Sequence, residues 1–317
     1  MRDFWQHGTV MELIRGVHNL RPRHRGCVAT IGNFDGVHAG HRAIVAQLLQ
    51  RARAMGLPSV VMVFEPQPRE FFAPELAPAR LTTFREKYEA LASLGVDRVL
   101  CVRFDHRISA QSAREFCDNI LLNGLGIRHL VVGDDFRFGH DRSGDFAFLQ
   151  TVGAEAGFSV EHTCTFELAG ERVSSTRVRD CLERSDFDLA AALLGQPFFM
   201  SGRVMHGQKL GRQLGVPTAN LLPKRIRTPI RGVFAVEVAG LGELKRGVAN
   251  LGTRPTVNGE RVRLEVHLLD FDQDIYGRHM RVIFRHKIRD EKKFDGLGAL
   301  KAGIRQDIET ARAFFRI

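Results

Sequence analysis

The pattern of apolar and polar positions changes once along the chain. From Cys27 to about Val132, short continuous apolar runs at 28–31, 60–64, 99–102 and 130–132 alternate with longer segments of helical periodicity. Such runs are typical of parallel strands that helices cover on both faces. Gly56 is a suitable C-terminal residue for the helix predicted after the first run. One side of that helix carries Ile44, Val45, Leu48, Leu49 and Ala52.

From about Pro197 onward the apolar positions alternate with period two, in GVFAVEV, GVANL, RVRLEVHLL and MRVIF. Alternation of this kind predicts an antiparallel barrel or sandwich. Residues 185–196 read as a short amphipathic connecting helix, and a further helix is expected over 297–312. We therefore predict an α/β protein with an N-terminal parallel-sheet domain at 1–186 and a C-terminal antiparallel β-barrel domain with a terminal helix at 187–317.

Composition narrows the class of protein. The chain is 44% hydrophobic and 26% charged over 317 residues, which is typical of a soluble globular protein. We find neither a signal-peptide pattern at the N-terminus nor a membrane-spanning stretch, so we expect a cytoplasmic protein. The five cysteines are far apart and form no C-x-x-C pair, which argues against disulfides and zinc knuckles and favours small buried side chains.

The net charge of +10 indicates an anionic partner: nucleic acid, a membrane surface or a nucleotide. A stretch from Ser201 to Arg231 contains no Asp or Glu. It forms either a solvated basic face or a phosphate site. Its basic residues are Arg203, Lys209, Arg212, Lys224, Arg225, Arg227 and Arg231.

The first candidate site is the segment GNFDGVHAGH, from Gly32 to His41, which leaves a buried strand and enters a helix. Glycines allow the backbone to approach a ligand, and a helix start offers free N–H groups to a phosphate. His38 and His41 would add two further donors to the same anion. The alternative is that the histidines are ordinary loop residues.

The second candidate site is a basic segment in which Gly207, Gly211 and Gly215 surround Lys209 and Arg212. It lacks the G-x-x-x-x-G-K-[ST] pattern of a P-loop. A flexible basic flap can nevertheless close over phosphates. Thr218 and Asn220, which follow it, would supply the oxygen ligands that Mg²⁺ prefers.

A carboxylate on a strand completes this second site. In RLEVHLLDF, alternation places Leu264, Val266 and Leu268 on one face and Glu265 and His267 on the other. Glu265 is then either a solvent-facing residue or a general base directed into a pocket. A hydroxyl nucleophile needs such a base because it must lose a proton, whereas a phosphate monoester is already an anion.

Several motifs carry a family resemblance. GNFDGVHAGH, FEPQPREFF, VVGDDFRFG and VSSTRVR resemble the nucleotidyltransferase-like FMN adenylyltransferase module of prokaryotic bifunctional riboflavin kinase/FAD synthetases. GRVMHGQKLGRQLGVPTANL, GVFAV, GVANLGTRPTV, LEVHLLDFDQDIYG and IRDEKKF are similar to the riboflavin kinase module of the same family. Together the motifs extend over roughly residues 27 to 312. Departures from the family pattern are Gln67, where histidine is more frequent, Phe234, where tyrosine is, and Gly303, where glutamine is.

The resemblance implies two ATP-dependent reactions: phosphorylation of riboflavin to FMN, and adenylylation of FMN to FAD with release of pyrophosphate. In the first domain it implies that His38 and His41 meet the α-phosphate of ATP, while Ser174, Ser175, Thr176 and Arg177 hold the leaving group. The residues implied around the nucleotide and the flavin are Gly32, Asn33, Phe34, Asp35, Gly36, Asp134, Asp135, Phe136 and Arg137.

In the second domain the resemblance implies that Glu265 is the general base and that Thr218 and Asn220 bind Mg²⁺ and ATP. Further residues of the implied kinase site are Gly207, Lys209, Gly211, Arg212, Asn250, Arg289, Glu291 and Phe294. The expected partners are therefore the small molecules riboflavin, FMN and ATP, without nucleic acid or membrane, and the oligomeric state is left open.

Two other functions are compatible with part of the pattern. A nucleotidyltransferase whose barrel binds nucleic acid would explain the basic stretch, although Tyr276 is the only tyrosine of the C-terminal half, which has no tryptophan for base stacking. A flavin-binding regulator without turnover would not need the phosphate-binding residues, and these are present.

Overall fold

The computed structural model describes residues 11–163, 165–206, 215–256 and 259–317. The chain divides into two compact units: one extends to Pro78 and resumes over Phe84–Val173, and the other combines Ala79–Thr83 with Ser174–Ile317. The functional domain boundary at residues 186 and 187 stays a prediction.

The first unit is built on a six-stranded parallel sheet with the order β1-β4-β3-β2-β5-β6. Its strands are β1 (Glu12–Arg15), β2 (Val28–Ile31), β3 (Ser59–Glu65), β4 (Arg98–Arg103), β5 (His129–Gly133) and β6 (Ser159–Thr163). Two short antiparallel strands, β7 (Glu167–Leu168) and β8 (Glu171–Arg172), form a separate hairpin. The four central strands confirm the four apolar runs in the sequence.

Helices flank the sheet. They are α1 (Ala39–Met55), α2 (Pro68–Phe72), α3 (Phe84–Ser93), α4 (His106–Ser109), α5 (Ala113–Phe116) and α6 (Phe146–Ala156), with a π-helix at Cys117–Leu125 and 3₁₀ turns at Val17–Asn19, Pro22–His24 and Pro74–Leu76. Alternate residues of β2 enter two separate cores, Ala29 and Ile31 on one face and Val28 on the other. A strand buried on both faces is apolar throughout, which explains its continuous run. Gly56 ends α1 in the left-handed conformation, as predicted.

The strand order places β2 between β3 and β5. The chain passes from β2 through α1 to β3 on one side, while β5 and β6 continue the sheet on the other. In open α/β sheets, ligands bind outside the carboxyl ends of the strands at such a switch point. The segments that follow β2 and β5 are therefore the first places to look for a site.

The second unit contains a closed barrel with the order β10-β13-β12-β11-β14-β9, in which every pairing is antiparallel. Its strands are β9 (Phe199–Met205), β10 (Ala219–Leu221), β11 (Gly232–Ala239), β12 (Lys245–Thr256), β13 (Gly259–Leu268) and β14 (His279–Arg289). Helices α7 (Ser175–Glu183) and α8 (Phe187–Leu194) precede it, and α9 (Leu297–Phe315) follows.

Of the two architectures expected from period-two alternation, the barrel is the one observed. Val233 and Ala235 of β11 pack with Val248 of β12 against Ala311 of α9, so the terminal helix covers part of the barrel wall. Among the described cysteines, Cys27, Cys117 and Cys181 are buried and Cys101 is partly buried, all as free thiols. Cys164 lies outside the described residues. Within the part of the chain that the structure describes, no helix has the length and apolar character needed to cross a membrane.

Candidate active sites

The turn between β2 and α1 has an unusual backbone. Phe34, Gly36 and Val37 all have positive φ, at 47°, 87° and 43°. Phe34 and Val37 are fully buried, so packing holds two non-glycine residues in a conformation that costs free energy. Strain of this kind is concentrated at functional turns. Of the other residues predicted here, Asp35 is buried and Asn33 is exposed, while the ring of Phe34 packs against Gly32.

The two histidines of this turn are in contact. His38 is the N-cap of α1, and its Nδ1 accepts a hydrogen bond of 3.3 Å from the backbone N–H of His41. The two rings stack with centroids 3.7 Å apart. Because Nδ1 of His38 accepts, the proton of the neutral ring lies on Nε2. The Nδ1 atom of His41 is buried and has no hydrogen-bond partner among the described residues.

The environment of His41 favours its neutral form. Burial lowers the pKa of His41 well below its ordinary value, and electrostatic repulsion from the neighbouring His38 and from the buried Lys87 on α3 lowers it further. An entering anion would reverse the charge effect. The turn therefore combines a helix N-terminus, two stacked imidazoles and a nearby buried ammonium group, which is an arrangement suited to a phosphate.

The residues predicted after β5 form ion pairs at the surface. Nη2 of Arg172 lies 2.8 Å from the carboxylate of Asp135 and 3.4 Å from that of Asp134. A hydrogen bond from the Thr165 hydroxyl, more than Arg172 itself, lowers the pKa of Asp134. Sequence analysis gave no role to Arg172, because its partners lie about forty residues earlier. Arg137 is likewise paired, with Asp145 at the start of α6.

An aromatic cavity of about 520 Å³ lies in the first unit. Phe136, a predicted site residue, lines it together with Arg137. The motifs FEPQPREFF and VVGDDFRFG supply much of the wall, but the sequence did not indicate that they enclose one cavity. The aromatic lining residues are Phe64, Phe72, Phe104, Phe116, Phe136 and Phe138, and the basic ones are Arg69, Arg137, His140 and Arg142.

The SSTR motif lies at the start of α7, in the second compact unit. The Ser174 hydroxyl caps the helix by accepting a hydrogen bond of 3.2 Å from the Arg177 N–H. Ser175, Thr176 and Arg177 form the first turn. The motif thus has the ordinary capping role that such a sequence allows, and it lies at a helix N-terminus, the end of a helix that attracts anions.

In the barrel, three predicted residues form one row across adjacent strands. Glu265 of β13 is directly opposite Asn220 of β10 on one side and opposite Asn250 of β12 on the other. Residues directly opposite each other in antiparallel strands present their side chains on the same face. Leu264 and Val266 on either side of Glu265 are completely buried. The row therefore places a carboxylate between two amides.

Arg263 is an additional member of this face, and sequence analysis did not identify it. Its Nε lies 2.9 Å from Glu265 Oε1, and its Nη2 donates a hydrogen bond of 2.6 Å to Asn220 Oδ1. Spacing by two along β13 could have suggested the contact with Glu265. The contact with Asn220 depends on the strand register, which the sequence does not state.

A second cavity, of about 190 Å³, adjoins this row. Thr218 and Asn220 line it, together with residues 271–276, which follow β13. The ring of His206 lies 3.9 Å from that of Tyr276. No cluster of three His, Cys, Asp or Glu side chains suited to a metal occurs within the described ranges.

The predicted residues near the C-terminus are held by the barrel and by α9. Arg289 makes a bidentate ion pair with the buried Asp307, with two N···O distances of 2.7 Å. Its guanidinium also lies 5.4 Å from the ring centre of Phe294. Glu291 packs onto Gly252, and partial burial raises its pKa. The contacts of Arg289 thus fix this segment against α9.

The structure shows the surroundings of the three residues that depart from the family pattern. A Cβ on Gly303 would lie 2.4 Å from Cε1 of Phe294, so only glycine allows that ring to rest on α9. Gln67 is buried after β3, and its Nε2 has no hydrogen-bond partner in the described parts of the chain. Phe234 is completely buried in the barrel, where a phenol hydroxyl would need a partner. The predicted residues Gly207, Lys209, Gly211 and Arg212 lie outside the described residues.

Comparison with known proteins identifies the family of each part of the chain. A family model described as FAD synthetase matches residues 20–177, and one described as riboflavin kinase matches residues 194–315. The bifunctional riboflavin kinase/FMN adenylyltransferase of Pseudomonas fluorescens is 59% identical, with 96% of this chain and 97% of that protein covered. The Escherichia coli K12 protein of the same name is 55% identical, with 96% and 98% covered.

A solved structure is also similar. The crystal structure described as a macrolide-efflux protein from Streptococcus pneumoniae has 29% sequence identity and a TM-score of 0.76, and the match covers 96% of this chain and 99% of that one. That description names a different activity from the names of the sequence relatives, and the TM-score shows that the two chains share a fold. High identity over nearly the whole length, with both family models matched in order, shows that the chain belongs to the family of bifunctional riboflavin kinase/FMN adenylyltransferases.

Proposed function

We propose that this chain phosphorylates riboflavin to FMN and adenylylates FMN to FAD at two separate ATP-dependent sites, within residues 187–317 and residues 1–186 respectively. The observation that carries the proposal is that one chain holds two different side-chain arrangements, each suited to a different phosphate transfer. A histidine pair at a helix N-terminus contains no carboxylate base, and a carboxylate row on the barrel contains Glu265 between two asparagines.

For the adenylyl transfer, the phosphate of FMN attacks the α-phosphorus of ATP and pyrophosphate leaves. The nucleophile is already ionised, so the reaction needs charge stabilisation rather than a base. We assign His38 Nε2 and His41 as donors to the α-phosphate, because negative charge increases there in the transition state. Ser174, Ser175, Thr176 and Arg177 would bind the departing pyrophosphate at the start of α7.

The aromatic cavity is suited to the flavin of this reaction. A planar isoalloxazine ring stacks well on phenylalanine side chains, and the cavity has the size range of small-molecule sites. The guanidinium groups of Arg69, Arg137 and Arg142 at its lining would attract the phosphate end of FMN. We assign Asp134 and Asp135 to the rim of this site, where Arg172 neutralises them.

For the kinase reaction, a ribityl hydroxyl must lose a proton as it attacks the γ-phosphate. Glu265 is the proposed acceptor of that proton. Asn250 and Asn220 flank it, while Arg289, Glu291 and Phe294 would border the flavin. The flap residues are either basic or glycine, and on these sequence grounds we assign them to the ATP phosphates. They are Gly207, Lys209, Gly211 and Arg212.

A magnesium ion that enters with ATP would fit this site. Mg²⁺ prefers oxygen ligands, keeps several waters and binds substrate phosphates rather than a full protein cage. Asn220 Oδ1 and the Thr218 hydroxyl offer such oxygens beside the second cavity, consistent with the lack of a denser ligand cluster among the described residues. The ion supplies neutralisation of phosphate charge, and these two residues would orient it.

The alternative of a nucleic-acid-binding barrel is less well supported. Arg225, in the middle of the basic stretch, is 5% exposed and donates a hydrogen bond of 2.9 Å to the carbonyl of Leu81. Arg203 donates to the carbonyl of Gly277. Since part of the positive charge has structural partners, we propose that the partners are riboflavin, FMN and ATP, without nucleic acid, in the cytoplasm.

The test is a product assay with the purified full-length chain. Incubation with riboflavin and Mg-ATP should yield FMN and then FAD, and incubation with FMN and Mg-ATP should yield FAD and pyrophosphate. RNA binding that weakens with salt, without either product, would support the alternative and contradict the proposal.

A further inference from the structure

The aromatic cavity of the first unit is lined by a partly buried glutamine that has no assigned role. Gln111 lines the cavity between α4 and α5. Its Oε1 is buried and has no hydrogen-bond partner among the described residues. An unpaired buried acceptor costs free energy, so a ligand that donates a hydrogen bond to it would recover that cost.

The backbone around Gln111 is fixed before any ligand binds. The N–H of Gln111 donates to the carbonyl of Ile108, at 3.3 Å, and its own carbonyl accepts from the N–H of His140, at 2.8 Å. The next residue, Ser112, caps α5. Backbone hydrogen bonds on both sides therefore hold Gln111 at the cavity wall, and a rotation of its side chain would turn the amide toward a ligand.

Most of the other polar side chains that line the cavity are arginines, which offer no acceptor. Arg69, Arg137 and Arg142 only donate hydrogen bonds. The hydroxyl of Ser109 donates to the carbonyl of His106. A ligand with an N–H group on the edge of a flat aromatic ring would meet apolar walls on its faces and the Gln111 carbonyl oxygen at its edge.

The isoalloxazine ring has such an edge. Its imide N3–H donor lies between two carbonyl acceptors, and a glutamine amide presents an acceptor beside a donor. A single amide can thus accept from N3–H through Oε1 and donate through Nε2 to a neighbouring flavin carbonyl. Recognition by paired hydrogen bonds distinguishes this edge from one that lacks the N–H.

We propose that Gln111 is a specificity-determining residue of the adenylyltransferase site and that its side-chain amide binds the imide edge of FMN. The inference rests on the proposed function, because it takes the aromatic cavity to be the FMN site. It adds that a pyrimidine-type N–H, and not only ring stacking, decides which flavins are accepted.

The test compares FMN with 3-methyl-FMN, in which the N3 donor is blocked, in the full-length wild type and in Gln111→Leu. Gln150→Leu, an exposed glutamine of α6, is the matched control. For wild type and control, the KM of FAD formation should be higher for 3-methyl-FMN by about 3- to 10-fold, the range for one hydrogen bond. For Gln111→Leu, the KM for FMN should rise by a similar factor and the two flavins should become equivalent.

Thermal unfolding gives a second measurement. Leucine removes an unpaired acceptor, so Gln111→Leu without ligand should be at least as stable as the wild type, while the FMN-induced increase in Tm should fall. Equal discrimination against 3-methyl-FMN by the wild type and Gln111→Leu would overturn the inference. Phe136→Ala tests separately whether the aromatic cavity binds FMN at all. An unchanged KM for FMN in that variant would show that the cavity is not the flavin site, whatever the role of Gln111.

Discussion

The guanidinium of Arg263 lies 2.9 Å from the carboxylate of Glu265, two residues further along β13. The same group donates to Asn220 Oδ1 at 2.6 Å. Both side chains of the ion pair are partly exposed, 26% and 32%, so the pair contributes only about 0.2–1 kcal/mol. A pair this weak can exchange when another partner for Glu265 or Asn220 binds.

Arg263 and Mg²⁺ compete for the same oxygen if Asn220 is a metal ligand. We therefore predict that Arg263→Ala lowers the Mg²⁺ concentration for half-maximal FMN formation, by roughly two- to fivefold as expected for loss of an exposed pair. The measurement is a Mg²⁺ titration of riboflavin phosphorylation at fixed ATP. Arg305→Ala, an exposed arginine on α9, is the control for net charge. A higher Mg²⁺ requirement in Arg263→Ala alone would instead make Arg263 a phosphate ligand.

Gly303 offers a test of the kinase flavin site. In Gly303→Ala the new Cβ would lie 2.4 Å from Phe294, so the ring must leave its place on α9. We expect the KM for riboflavin to rise several-fold, by roughly 1 kcal/mol of lost ring packing. The preference of helices for alanine over glycine, about 1 kcal/mol, acts in the opposite direction on stability.

Gly298→Ala is the matched control on the same helix, because nothing lies within 4 Å of the Cβ it would add. It should stabilise the protein by up to about 1 kcal/mol and leave the KM for riboflavin unchanged. If both variants behaved alike, Phe294 would have no part in flavin binding.

The sequence was sufficient to predict local features. Continuous apolar runs gave the central strands, and alternation placed Glu265 opposite in orientation to the buried Leu264 and Val266. It could not predict that Asn220 and Asn250 flank Glu265, because strand register results from packing of the whole barrel. The same limit explains why Arg263 was not identified.

Contacts between residues that are far apart along the chain could also not be predicted from the sequence. Arg225 belongs to a stretch interpreted as a solvated basic face or a phosphate site, yet it is buried and bonded to Leu81, 144 positions away. Gln111 is another example, since a glutamine between two helices gives no sign that aromatic residues from three strand ends will surround it. Charge and composition describe the side chain, but its partners depend on topology.

The lowered pKa of His41 predicts a pH-dependent stability. Between the ordinary pKa of 6.5 and the lower folded-state value, the unfolded chain binds a proton that the folded protein does not. Stability is then complete above pH 6.5 and falls as the pH decreases, by up to about 1.4 kcal/mol per pH unit until the folded-state pKa is reached.

His41→Asn should remove this dependence. Denaturant unfolding of wild type and variant from pH 5 to 8 measures it, and the free-energy difference between them should change with pH only below about 6.5. His18→Asn, at an exposed histidine, should retain the wild-type slope. A parallel pair of curves for wild type and His41→Asn would mean that burial does not exclude the proton from His41.

The division of labour between the two sites predicts a reciprocal pattern of products. Glu265→Gln keeps size and hydrogen bonding but removes the base, so FMN formation from riboflavin should fall by about 10²–10⁴, while FAD is still made from supplied FMN. The double variant His38→Ala, His41→Ala should do the opposite, since each lost donor costs about 2.7–4 kcal/mol of transition-state stabilisation. It should accumulate FMN and make no FAD.

To test this pattern, both products must be measured for both variants. Glu243→Gln is the control for loss of a carboxylate, because the Glu243 side chain is 91% exposed. Only the kinase step has to deprotonate an alcohol, because adenylyl transfer starts from an anion. A single shared site would lose both reactions together in either variant. Equal losses of FMN and FAD formation in a folded Glu265→Gln protein would therefore contradict the assignment of Glu265 as the kinase base.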